Sequence, residues 1–213
     1  MGPVVCMITD RRRLGPHAEA ALISRVVAAS RAGVHLIQIR ERDMPDNALL
    51  PLVARAVEAV RGTRARVLVN DRVDVAIAAG AHGVQLRADS VSAARVRVVA
   101  PPSFVIGRSV HSREEVARAR GEDVLDYLLF GTVFETSSKP GRVAAGIQDL
   151  AEAVDAAGPL PVLAVGGVTL DTIGRLAATG CSGFAAIGQF ADCPEGDLVA
   201  AVTGAMTAWE NPR

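Results

Sequence analysis

Aromatic residues are scarce in this chain: five Phe, one Tyr and one Trp make up 3% of its 213 positions. A core must therefore be assembled from Val, Ala, Ile and Leu. The hydrophobic half of the composition supplies them, as suits the buried strands of a parallel α/β architecture. Cysteine is scarce too. Cys6, Cys181 and Cys193 are odd in number and lack Cys-x-x-Cys spacing, which argues against a disulfide framework or a zinc site and for free thiols in a reducing compartment. There is no excess of charge, since 23 Lys plus Arg balance 23 Asp plus Glu. Nothing advertises a nucleic-acid or membrane surface. Long apolar runs are missing as well. The N-terminal run from Val4 to Ile8 is followed by Asp10 and three arginines, too short and in the wrong order for a signal segment. No stretch approaches the ~18 apolar residues of a membrane span. These absences predict a soluble, cytoplasmic protein.

What the chain does have is a recurring unit, a short apolar run followed by an amphipathic segment. Runs at 4–9, 35–39, 66–69, 83–86, 126–130, 161–165 and 183–187 read as strands. Another begins at Phe104 and ends where the sequence turns polar at Arg108. The segments 16–32, 46–61, 73–79, 92–100, 112–120, 148–157, 169–180 and 195–209 read as the intervening helices, with Pro16 in a first turn and Gly33 just past an end. Eight such units without a linker predict an α/β fold, a (β/α)8 TIM barrel forming one domain over residues 1–213. The alternative, a doubly wound open sheet, would want Gly-x-Gly-x-x-Gly after the first strand for a dinucleotide, and none is there. The irregular segment 131–146, rich in Gly, Ser, Thr and Lys, has the length of a functional lid.

In such a barrel the active site lies at the C-terminal strand ends, and the polar residues collect there: Thr9, Asp10, Gln38, Arg40, Asn70, Asp71, Gln85, Arg108, Ser109, His111, Thr136, Lys139 and Gln189. His111 precedes a helix start marked by Ser112 and Glu115 at capping-box spacing. A helix N-terminus disfavours the imidazolium, so the ring is either a proton-transfer group or a loop-bonding one. Gly166-Gly167 and Gly188 follow the seventh and eighth strands, where barrels bind phosphate on bare N–H groups that a Cβ would obstruct. Tight turns are the other explanation. Phosphate there predicts a small phosphorylated substrate. Arg40 and Lys139 add charge for a second anion, while Arg42 suits a solvated surface. Asp71 either starts a magnesium site, which takes few carboxylates plus phosphate oxygens, or caps a helix. Asp89 is a nearby second carboxylate, and Arg87 brings the opposite charge.

Several stretches carry a family resemblance. They are Ile37-Gln38-Ile39-Arg40-Glu41-Arg42, Val69-Asn70-Asp71-Arg72-Val73-Asp74, Gly83-Val84-Gln85-Leu86, Gly107-Arg108-Ser109-Val110-His111-Ser112, the run from Leu129 to Thr136, and Ala164-Val165-Gly166-Gly167-Val168-Thr169. Over nearly its whole length the chain resembles the family of thiamine phosphate synthase and the thiazole tautomerase TenI. The resemblance implies the barrel, a homodimer, and a small phosphorylated thiazole as partner. The run from Gly107 to Ser112 and Val84-Gln85-Leu86 are more similar to the tautomerase branch, which makes an isomerase the expectation. In it His111 moves the proton, Gly166, Gly167 and Gly188 hold phosphate, and Gln38, Arg40, Asn70, Ser109, Thr136 and Lys139 contact substrate, with no cofactor. The alternative is the synthase, a transferase that holds a pyrophosphate with Mg2+ on two aspartates. The first matches Asp71 and the second falls on Ser90. A non-catalytic thiazole phosphate-binding regulator is the third reading.

Overall fold

The computed structural model of the chain describes residues 2–136, 141 and 143–211. Among them, parallel strands pair in chain order into a closed barrel: β1 (Val4–Ile8), β2 (Leu36–Ile39), β3 (Arg66–Asn70), β4 (Gly83–Leu86), β5 (Val105–Val110), β6 (Tyr127–Phe130), β7 (Val162–Val165) and β8 (Gly183–Ala186), with β8 returning to β1. The outer ring is α1 (Ala18–Arg31), α2 (Asp46–Ala59), α3 (Val73–Ala78), α4 (Ala93–Val99), α5 (Arg113–Arg120), α6 (Gly146–Ala157), α7 (Leu170–Ala177), a short α8 (Gly188–Ala191) and α9 (Leu198–Glu210). Among the described residues no helix is long and apolar enough to cross a membrane.

The period-two alternation of strands splits the apolar side chains into two buried sets. Met7, Ile37, Val67, Val84, Ile106, Leu128 and Phe184 point outward and pack with Leu22, Val26, Leu52, Leu150 and Ile173 of the helices. Cys6, Ile8, Leu36, Leu68, Tyr127, Leu129 and Leu163 fill the barrel itself. Tyr127 is the one tyrosine of the chain, and its ring enters the barrel because Gly107 is its register partner on β5. A Cβ on Gly107 would fall on the Tyr127 ring and on the side-chain oxygen of Gln85. The Tyr127 hydroxyl donates to that same oxygen, so the polar tip of this buried ring is satisfied.

Among the boundaries that depart from the sequence reading, three stand out. β5 continues through Arg108 and Ser109 to Val110, because both polar residues find partners within the fold. Ser109 Oγ accepts from Gln85 Nε2 at 3.1 Å. Buried Arg108 turns outward and donates to the carbonyls of Arg87 and Val91 at 3.2 and 2.8 Å, with Glu122 3.1 Å from its Nε. The segment after β8 forms the short α8 rather than a bare turn, and a 3-10 turn at Glu195–Asp197 delays the last helix to Leu198.

The opposite end of the barrel carries an internal repeat. α1 and α3 end alike, with left-handed Gly33 and Gly80 (φ 98° and 68°) and six-residue closures from Val34 N–H to Ala29 and from Ala81 N–H to Ala76. Next come His35 and His82. Each donates its backbone N–H to the preceding strand's carbonyl (Val5 or Val67) at 2.9 Å, and accepts that residue's N–H on Nδ1 at 3.1 Å. A ring accepting on one nitrogen must be neutral there.

Two outcomes follow from this packing. Gly107→Ala lowers the unfolding free energy by about 2 kcal/mol or more, the cost of overpacking a filled interior, measured by denaturant titration. Burial, helped by Arg64 and Arg66, depresses the pKa of His35 and His82 below the ordinary 6.5. Their stabilisation is whole above that value and is lost as pH falls, since the unfolded chain then binds protons that the folded chain refuses. Thermal melts from about pH 7.5 to about pH 5.5 should therefore show a falling Tm, and a smaller fall in the His35→Gln/His82→Gln double variant. Equal falls in both proteins would contradict the assignment.

Candidate active site

The C-terminal mouth is organised by Glu41, directly after β2 and only 4% exposed. Its Oε1 accepts from the Thr9 hydroxyl at 2.5 Å, and both carboxylate oxygens accept from the Arg11 N–H at 3.2 and 3.1 Å. Arg11 Nη1 adds a charged contact at 3.1 Å. Thr9 Oγ1 in turn accepts the N–H of Arg40 at 3.0 Å. The ends of β1 and β2 are thereby tied, and Arg40 is set at the mouth. Its guanidinium has no hydrogen bond or ion pair among the described residues. Burial, aided by Arg42, pushes its pKa down from the ordinary value. A half-buried cation in that position calls for an anion.

Inside the mouth lies a layer of paired side chains. Gln38 Nε2 donates to Asn70 Oδ1 at 3.0 Å, beside the Gln85–Ser109 bond. Gln38 Oε1 is buried and has no partner among the described residues. Gln38, Arg40, Asn70, Ser109, His111, Thr132 and Thr136 line one small cavity. His111 belongs to it, with Nδ1 against the Gly131 carbonyl. The helix start after His111 is where the sequence puts it, since Ser112 Oγ accepts from the Glu115 N–H at 3.3 Å. The Glu115 carboxylate, however, reaches past Ser112 to the His111 N–H at 2.7 Å.

A second cavity of about 540 Å³ opens alongside, lined by Arg13, Glu135, Gly166, Gly167, Gly188, Gln189, Asp192 and Cys193. The two cavities share Thr136, Val165, Gly166 and Ile187. Gly166 and Gly167 are left-handed (φ 101° and 63°), and Cβ atoms there would fall on Thr132 and on Phe134 and the Glu135 carbonyl. The N–H groups of Gly167 and Gly188 have no hydrogen-bond partner among the described residues, so donors face an open space large enough for a small ligand.

Of the two roles expected of Asp71, the structure rules out the cap. It is not the cap of α3, a position taken by Arg72. It sits in the left-handed region at φ 64°, which Asp tolerates better than most residues. Its Oδ1 accepts from the Ser90 hydroxyl, and its Oδ2 lies 3.5 Å from Arg87 Nη1. Asp89 is forked by the same Arg87 and turned outward, so it does not stand in for the missing second aspartate. One carboxylate, one hydroxyl and a guanidinium do not fit a two-aspartate magnesium site. Among the described residues no three His, Cys, Asp or Glu group closely enough to hold a metal. Lys139, expected to add charge for a second anion, lies outside the described residues. Arg13 and Glu41 were not anticipated as site residues. The only sequence signals were a run of three arginines and a charged triplet around Glu41, and neither says which side chain turns inward.

Comparison with known proteins adds the chemistry. The sequence model of a family described as thiamine monophosphate synthase (TMP-TENI) matches residues 5–190. The chain is similar to the thiamine-phosphate synthase of Roseiflexus sp. strain RS-1, with 35% identity over 208 residues, 97% of this chain and 86% of that one. It is also similar to that of Methanoculleus marisnigri, with 36% identity over 205 residues, 94% and 92% of the two chains. The solved structure of a thiamine phosphate pyrophosphorylase from Pyrococcus furiosus superposes with TM-score 0.82 at 30% identity, covering 97% and 95%. These relatives correct the expectation of a tautomerase, because they carry the synthase name. There is a physical reason why the run from Gly107 to Ser112 misled. Arg108 faces out of the barrel and braces the segment after β4, a packing role that selects no reaction.

The metal corner can be tested directly. Ser90→Asp, which supplies the second carboxylate, should tighten magnesium binding by about tenfold or more over the unaltered chain, read by titration calorimetry. Equal affinity would mean that Arg87 excludes the ion from both proteins.

Proposed function

The chain belongs to the thiamine monophosphate synthase family, and on that premise we propose that it is a transferase joining a hydroxymethylpyrimidine pyrophosphate to a thiazole phosphate. The observation that carries this reading is the pair of adjoining cavities. One presents Arg40 and the Gln38–Asn70–Ser109 layer, the other presents bare glycine N–H groups, and they share a wall. Two anionic substrates that must meet at one bond need such a pair. Joining them is a positioning task of the kind enzymes perform well.

In this reaction the thiazole nitrogen lone pair forms the new bond to the pyrimidine methylene carbon. The bond from that carbon to oxygen breaks, and pyrophosphate leaves with the electron pair. The thiazole nitrogen becomes the cationic centre of thiamine phosphate. Negative charge grows on the leaving group, where an unpaired guanidinium is most useful, and Arg40 takes that role. The orphaned Gln38 Oε1 suits an amino N–H of the pyrimidine, and Asn70, Ser109 and Thr136 complete the polar wall. No proton moves between carbons, so His111 serves as a ring of fixed orientation against the ligand and not as a shuttle. At the corner beside Asp71 one carboxylate stands where the resemblance expects two, with the Ser90 hydroxyl in the second place.

Purified protein given both substrates should release thiamine phosphate and pyrophosphate in equal amounts. Arg40→Ala should lower kcat/KM by about 10²–10³-fold, as for loss of a preorganised charge at a developing anion, with Arg40→Lys in between. Absence of thiamine phosphate from the unaltered protein would overturn the transferase.

A further inference from the structure

Arg11, Arg12 and Arg13 form a 3-10 turn just after β1, and each guanidinium goes to different carboxylates. Arg11 meets Glu41 and Asp43 at 3.1 and 2.8 Å, and Arg12 folds back on Asp10 at 2.8 Å. Arg13 instead crosses the mouth. Its Nε donates to Asp192 Oδ1 at 2.8 Å and its Nη2 to Oδ2, which fastens the turn after β1 to the end of α8. This places the guanidinium on the glycine-lined cavity, where a Cβ built on Gly188 would lie 3.7 Å from Nη2. Arg13 is the sole Lys or Arg among the described residues that line that cavity. Of its five N–H donors, two engage Asp192, and Nη1 has no partner among the described residues.

We propose that Arg13 is the residue that makes this cavity select a phosphate monoester. Asp192 grips one edge of the guanidinium and leaves the Nη1 edge to a phosphate oxygen, while the N–H groups of Gly167 and Gly188 take the others. This rests on the reading that a phosphate occupies the cavity. Backbone N–H groups alone accept any small anion or carbonyl. The carboxylates of Glu135 and Asp192, both on the cavity wall, repel a dianion unless a cation stands beside them. Arginine's planar fork suits phosphate oxygens better than a point charge does. Asp192 acts as a positioning residue, holding the long side chain in place before the ligand arrives.

The test measures binding of thiazole phosphate, the corresponding thiazole alcohol and inorganic phosphate to unaltered protein, Arg13→Lys, Arg13→Gln and Arg13→Ala, by calorimetry, with thermal melts as the check on folding. Arg13→Ala and Arg13→Gln should weaken thiazole phosphate and inorganic phosphate by about tenfold or more, with Arg13→Lys intermediate and the alcohol unchanged. In turnover, KM for thiazole phosphate should rise and KM for the pyrimidine pyrophosphate should stay. Unchanged phosphate affinity in Arg13→Ala, an equal loss for ester and alcohol, or failure of unaltered protein to prefer the ester would overturn the assignment. Should no thiamine phosphate form while ester selectivity still depends on Arg13, the transferase falls and the assignment stands.

Discussion

A carboxylate withdrawn from water must be compensated where it lies, and in this barrel that demand sets the geometry of the mouth. Glu41 is buried among the Thr9 hydroxyl, the Arg11 N–H and the Arg11 guanidinium, partners drawn from the end of β1 and the turn beyond it. Removing any one would leave a buried charge short of donors, a state far costlier than the bond itself is favourable. Two cations therefore inherit their positions from one anion. Arg40 hangs from the same Thr9 oxygen, and Arg13 is the last residue of the turn that Arg11 anchors. Each faces a different cavity.

The interior of the barrel separates packing from chemistry by depth. Leucines and the Tyr127 ring fill the lower layers, and Gln85 marks the boundary, taking the tyrosine hydroxyl on one side and giving its amide to Ser109 on the other. Above it the layer is polar and opens to the cavities. Rigid strands thus carry Gln38, Asn70 and Ser109, while the loops carry the charges. Neutral hydrogen-bonding groups are placed by the sheet, whereas the longer Arg side chains reach in from the rim.

Much of the architecture was legible because nearly every strand is an apolar run closed by Gly or by a polar pair, and the rule that barrels work at their C-terminal strand ends then isolates most residues of the smaller cavity and a minority of the larger. The failures have a common cause. Arg108 and Ser109 look like the end of β5 in one dimension, because the Gln85, Glu122 and backbone partners that let them stay in a strand are remote in sequence. Asp71 left a choice between cap and metal ligand; the fold gives the cap to Arg72 and sets a hydroxyl and a guanidinium from the next strand's loop against the Asp71 carboxylate. Three adjacent arginines are indistinguishable as letters. Only the folded turn sends the third across the mouth. The motif from Gly107 to Ser112 marks ancestry well and reaction poorly, since its most distinctive residue points out of the barrel, away from the cavities.

At the floor of the barrel, the two histidines repeat one arrangement 47 positions apart, each bonding both backbone groups of a valine on the strand before it. Each ring locks one strand pair locally, without help from the mouth. The lower half is thereby modular: the β1–β2 and β3–β4 pairs each carry their own clasp, and the loops that bear the arginines are free to diverge over a floor that keeps its register. Where a barrel is clasped from below in this way, evolution and protein engineers alike can rewrite the rim without renegotiating the staves.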